Sequence, residues 1–293
     1  MSPIKATSDV FFKYLFGSET NTDLLVSFIN AVLIDSNWEP IVSAEIRNPF
    51  CIQEILAEKF SVLDIKAVDQ QGRVYDIEMQ AAGDKSFANR SLYYWSKLYS
   101  SQLMEGDEYT ELNPTICINV LNYVMFDKVD RLHTCFMLSE NEQPDFILTD
   151  HLMIHFLELP KMNIEALQAQ LEQSKLLQWL YYLKLEGTED EKMKILLKDR
   201  EIAAAHEKYK KFNQDDKIRL AYESRQRWIR DHNSMMKQAE ETGMAQGMEK
   251  GMEKKSIEIA LNLKAIGTPL EVIAQATGLS VDEIELLNKL DAQ

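Results

Sequence analysis

The sequence has little cysteine, no long apolar run and no excess of positive charge. Its three cysteines, Cys51, Cys117 and Cys135, lie far apart and in no metal-ligand spacing. Such a set argues against a disulfide framework or a thiolate metal site, and reads as reduced thiols used in packing. No stretch approaches the roughly eighteen uninterrupted apolar residues of a membrane span. The opening MSPIKATSD lacks the apolar run of a signal peptide. A cytoplasmic protein with no membrane segment is expected. The 32 Lys and Arg against 47 Asp and Glu leave a net charge of −15. A protein that lives on nucleic acid usually shows a basic footprint, because phosphate neutralisation supplies most of its affinity. A nucleic-acid function would therefore need a local positive groove on an acidic body.

What is present is an ordinary globular composition, 45% apolar and 27% charged, over 293 residues. That length suits one large domain or two smaller ones. SDVFFKYLFGSETNTDLLVSFINAVL (8–33) predicts two helical stretches, with Ser8 and Thr22 as N-caps and Gly17 at the break. Asp9 and Lys13 have the i, i+4 spacing of a helical ion pair. A strand is expected over 41–49, stopped by Asn48 and Pro49. FSVLDIKAV (60–68) alternates, DQQG (69–72) has turn composition, and VYDIEMQ (74–80) alternates again, so 60–80 predicts a β-hairpin. The pattern turns helical from Lys85 to Glu105. Strands are expected at 115–124, 133–140 and 151–159, the first apolar enough to be central. His151 and His155 share a strand face without a third ligand and read as structural. Residues 162–237 carry amphipathic helical stretches and almost no strand signal.

The tail opens on GMAQGMEKGMEK (243–254), whose Gly243, Gly247 and Gly251 make either a close-packing stripe or a flexible joint. Three short helices separated by Gly267 and Gly278 are expected, with starts at Thr268-Pro269-x-Glu271 and at Ser280 with Glu283. Ala274 and Gly278 have helix-turn-helix spacing. The helix over 280–290 would nevertheless present Asp282, Glu283 and Glu285 to phosphates, so protein binding or self-association is the better expectation.

On the hairpin, Asp64 and Lys66 share a face with Asp76, Glu78 and Gln80. The pairing brings Asp64 close to Glu78, either directly opposed or diagonal. Adjacent carboxylates repel unless a proton or cation lies between them. A hard cation such as Mg²⁺ takes one or two carboxylates plus water and phosphate oxygens, and can activate water against a phosphodiester.

An Asp on one strand, a turn, then Glu-x-Lys on the next is the signature of the PD-(D/E)XK nucleases; here Asp64 is followed by Glu78-Met79-Gln80. More closely, DVFFKYLFG, SVLDIKAVDQQGRVYDIEMQ, RSLYYWSKLYSSQL, the GM repeat and IAQATGLSVDEIELL resemble the Rpn family. These are recombination-promoting nucleases and transposase-like proteins of bacteria. The resemblance implies an α/β fold: a PD-(D/E)XK nuclease-like core, its mixed central sheet flanked by helices, followed by an all-helical C-terminal region. Three parts are expected: the core at 1–160, a helical extension at 161–237, and the repeat with its helical tail at 238–293. The implied activity is metal-dependent DNA endonuclease, with Mg²⁺ or another divalent ion such as Mn²⁺ or Ca²⁺ as cofactor.

Carried over by position, Asp64 and Glu78 hold the metal and Gln80 takes the lysine's place. Arg90 and Tyr94 line the phosphate side. Lys66 lies beside Asp64 on the DNA-binding face and could partly replace the missing lysine charge. DNA is the implied partner, with a homo-oligomer or another protein bound through the C-terminal helices. An amide at 80 supplies no charge to the transition state. The competing readings are a catalytically weak or inactive relative that binds DNA or protein, and an assembly protein whose helical half does the work.

Overall fold

The computed structural model describes residues 4–51, 64–83, 86–163, 171, 173–185 and 196–287. Helix α1 (Asp9–Phe16) starts at Ser8, whose hydroxyl accepts from the Phe11 N–H, and ends at Gly17. Helix α2 (Thr22–Asp35) has Asn21, not Thr22, in the N-cap position; the Thr22 hydroxyl instead donates to the Glu19 carbonyl. The sheet follows: β1 (Ala44–Ile46), β2 (Ile65–Asp69), β3 (Val74–Gln80), β4 (Thr115–Leu121), β5 (His133–Ser139) and β6 (Ile147–Glu158). Helix α3 (Phe87–Ser100) connects β3 to β4. The spatial order is β1-β2-β3-β4-β6-β5, antiparallel at both ends and parallel where β4 lies between β3 and β6. This is the mixed sheet expected, and β4, buried at every position, is central.

The hairpin turn is built by Asp69. Its carboxylate accepts from the Gln71 and Arg73 N–H groups and binds the Arg73 guanidinium at 2.6 Å and the Tyr75 hydroxyl at 3.0 Å. Gly72 closes the turn at φ 84°, where a side chain is strained and a Cβ would meet Asn113 Oδ1 at 2.8 Å. The register Ile65↔Ile77 and Lys66↔Asp76 follows from this turn. The part of the expected hairpin at 60–63 lies outside the described residues.

One sheet face is apolar: Tyr75, Ile77, Ile118, Val120, Met153 and Leu157 pack under α1 and α2. Two further helices, α4 (Lys175–Leu185) and α5 (Arg200–Gln214), join this core. Trp179 of α4 meets Phe16 at 5.3 Å between ring centres and donates its indole N–H to Ser27. Asp9 and Lys13 do not pair. Asp9 binds Arg225 at 2.7 Å, while the Lys13 ammonium donates to the backbone carbonyls of Asn48 and Asp64.

Contacts divide the chain into two compact units, 1–225 and 226–293. Helix α6 (Asp216–Ala265) begins in the first and runs on into the second. The Gly/Met repeat is therefore helical throughout and not a flexible joint, and the first of the three expected short tail helices is the end of α6. The other two are α7 (Leu270–Thr277) and α8 (Val281–Leu286). Pro269, not Thr268, occupies the N-cap of α7, whereas Ser280 and Glu283 form the expected capping box on α8. Ala260, Ile273 and Ile284 make the small core of this unit. Among the described residues no helix is long and apolar enough to cross a membrane.

Candidate active site

Residues paired across a sheet share a face, so Asp76, Glu78 and Gln80 stand beside Cys117, Asn119 and Leu121 of β4. This is the face under α3. That helix buries only Phe87 and Ser91, so its later turns leave an open cleft above the acids. The cleft holds about 350 Å³ and, among the described residues, is lined by Asp64, Lys66, Asp76, Glu78, Tyr94, Lys97, Leu98 and Ser101. The hairpin pairing begins at Ile65↔Ile77, and Asp64, just before it, acts on the charges of both Asp76 and Glu78.

The acids are not on a solvated face. Asp76 is 7% exposed and Glu78 4%. Burial of a carboxylate penalises its charged form. Asp76 is accordingly pushed up to about 8, by burial first, then by the charges of Asp64 and Glu78 and a hydrogen bond with Asp64. Its Oδ1 is buried with no hydrogen-bond partner. Glu78 is also raised, mainly by burial, against the lowering effect of the Gln80 amide. Behind them burial and the same two carboxylates push the Cys117 thiol up.

Each sequence-predicted residue has a definite place. Asp64 pairs with Lys66 at 3.3 Å. Its backbone carbonyl is held by Lys13 and Asn48, and the Asn48 side chain also accepts from the Lys66 N–H. Gln80 donates to Glu78 Oε2 at 2.7 Å and accepts from Arg90 Nη2 at 3.0 Å. Arg90 also lies over the Phe87 ring at 4.8 Å. Gln80 and Arg90 thus reach the cleft through Glu78, whereas Tyr94 and Lys66 line it directly. His151 and His155 have separate partners, Tyr99 and His133.

Sequence reasoning placed Asp76 on the same strand face but gave it no role, whereas it forms a wall of the cleft. It also missed Lys97, one helical turn beyond Tyr94. Nothing in the local sequence marks Lys13 and Asn48 as the clamp on Asp64, because their partner is distant in the chain.

Among the described residues no three or more His, Cys, Asp or Glu side chains are gathered to enclose a metal ion. The donors on hand, Asp64 and Glu78 with the unpartnered Asp76 oxygen nearby, are hard oxygens. They suit an ion that draws the rest of its shell from water and phosphate.

A mixed sheet that carries an Asp and a Glu-x-Gln on its central hairpin, under a crossover helix, defines a PD-(D/E)XK nuclease-like protein. Residues 6–239 match the family described as PD-(D/E)XK nuclease family transposase, and the chain belongs to that family. No curated protein and no solved structure matches the chain.

Proposed function

We propose that the protein is a metal-dependent DNA endonuclease that hydrolyses phosphodiesters in recombination or transposition-like DNA processing. The observation that carries this reading is the pair of buried acids, Asp76 and Glu78, at the floor of an open cleft with the half-buried Asp64 beside them. Buried carboxylates cost stability, so a cleft that keeps two of them, with a third at its edge, has a use for their charge. Asp64 and Glu78 would hold a divalent ion, Mg²⁺ or Mn²⁺, which when bound neutralises phosphate charge and makes a water more acidic.

The chain's own groups then have separate tasks. Lys13 and Asn48 fix the backbone that presents Asp64. Gln80 fixes the Glu78 rotamer and favours its ionised form. Lys66 neutralises Asp64 until substrate enters. Tyr94 contacts the nucleic-acid backbone on the α3 side. Water adds to phosphorus, one P–O ester bond breaks, and a phosphate monoester and a hydroxyl leave. The exposed middle of α6 supports self-association through the C-terminal helices.

A second reading, DNA binding with little or no cutting, is favoured by one observation: the amide of Gln80 is occupied at both ends and brings no charge to the phosphate. Plasmid nicking with Mg²⁺ or Mn²⁺ separates the two. Nicking that falls by about 10²-fold or more in Asp64→Ala supports the enzyme. DNA binding without nicking in the unaltered protein supports the second reading.

A further inference from the structure

A nucleic-acid strand entering this cleft brings one negative charge per phosphate to a wall of three carboxylates, and a bound phosphate needs cations from the protein. The described cations nearby are largely committed. Lys66 is paired with Asp64. Arg90 is bound to Gln80 and seated on Phe87. Gln80 cannot turn to a phosphate without releasing Glu78 or Arg90. Lys97 differs. It lines the cleft, is exposed, and among the described residues its ammonium has neither an ion pair nor a hydrogen bond. Arg90, Tyr94, Lys97 and Ser101 recur at intervals of four, three and four residues, so they share one face of α3 and its last turn.

We propose that Lys97 is the phosphate-binding cation of the cleft, supplying from α3 the positive charge that the strand position of Gln80 does not carry. Its ligand is the nucleic-acid backbone. A flexible four-carbon stem and a compact ammonium suit a phosphate whose position is set by other contacts. The inference rests on the nuclease reading and assigns the charge to one residue within it.

The test is binding of a labelled DNA duplex to the full-length protein in EDTA, over a range of salt concentrations. Lys97→Met should weaken binding roughly tenfold at low salt and reduce the slope of log affinity against log salt by about one. Lys97→Arg should restore both. Lys211→Met, at an exposed position of α5, which packs on α1, α2 and α4, measures the general effect of losing one positive charge. An unchanged thermal midpoint for Lys97→Met, expected at this exposed position, excludes a folding effect. A Lys97→Met slope equal to that of Lys211→Met overturns the proposal and leaves the nuclease reading standing. If the unaltered protein does not bind DNA, both fall.

Discussion

Asp76 holds a carboxyl group in a place where its charged form is disfavoured. Its folded pKa of about 8 lies above its ordinary value of 3.8, so the folded state keeps a proton that the unfolded chain releases. Stability therefore falls as pH rises from about 4 to about 8. Asp76→Asn cannot ionise and should remove that loss. The metal-free variant should unfold a few degrees higher at pH 8 and match the unaltered protein near pH 4, since about 1 kcal/mol moves Tm by roughly 2–4 °C at this size. Equal midpoints at pH 8 would refute the argument. At Gln80 the amide lowers the pKa of Glu78, against the larger upward effect of burial. Gln80→Leu should move the acid limb of the nicking profile to higher pH, because Glu78 must then ionise without its donor. Gln80→Lys meets Arg90 where the amide oxygen now accepts, and the structure gives it no gain. Asp64 and Glu78 were legible from a period of two and a turn. The clamp by Lys13 and Asn48 was not, because it joins segments 51 and 16 residues from Asp64.

At the scale of elements, α2, β5 and β6 are tied by a polar chain on the sheet face opposite the cleft. Asp35 meets His133 at 2.6 Å, His133 meets His155 at 3.0 Å, and the Cys135 sulfur lies 3.8 Å from His155. His155 is fully buried, and burial with the neighbouring His133 lowers it to about 3. A lowered histidine pKa means that unfolding takes up a proton, so stability should fall as pH drops from about 6.5 to about 3. His155→Leu should flatten the acid side of the stability curve, read from urea midpoints between pH 4 and 7; identical slopes would sink this account. The strands themselves were readable because alternation and turn chemistry are local. The Asp69–Gly72 turn needed nothing beyond its own residues. The tail was less readable for the opposite reason. Three glycines at a spacing of four left either a close-packing stripe or a flexible joint open where helix propensity alone decides, and the unbroken α6 excludes the joint.

For the whole molecule, the bare stretch of α6 is the feature that asks for a partner. Residues 230–255 are exposed on every side, and a Cβ at Gly243, Gly247 or Gly251 would touch nothing within 4 Å. Each glycine costs a helix about 1 kcal/mol relative to alanine. Most helical stability in proteins comes from packing on an apolar face. Here that face, with Met244, Met248 and Met252 each well over half exposed, has no cover among the described residues. A second copy of the chain would supply it, with small residues allowing close approach. A chain ending after Met236 keeps α1 to α5, the whole sheet, and the Asp9–Arg225 pair that ties the start of α6 to α1. It should unfold within about 2 °C of the first-unit transition of the full protein and nick plasmid at the same rate per site. Its sedimentation mass should drop to that of one chain, while the full protein sediments as an oligomer. A truncated chain that is insoluble, or that associates as the full protein does, would place self-association and the fold's completeness elsewhere than in the C-terminal helices.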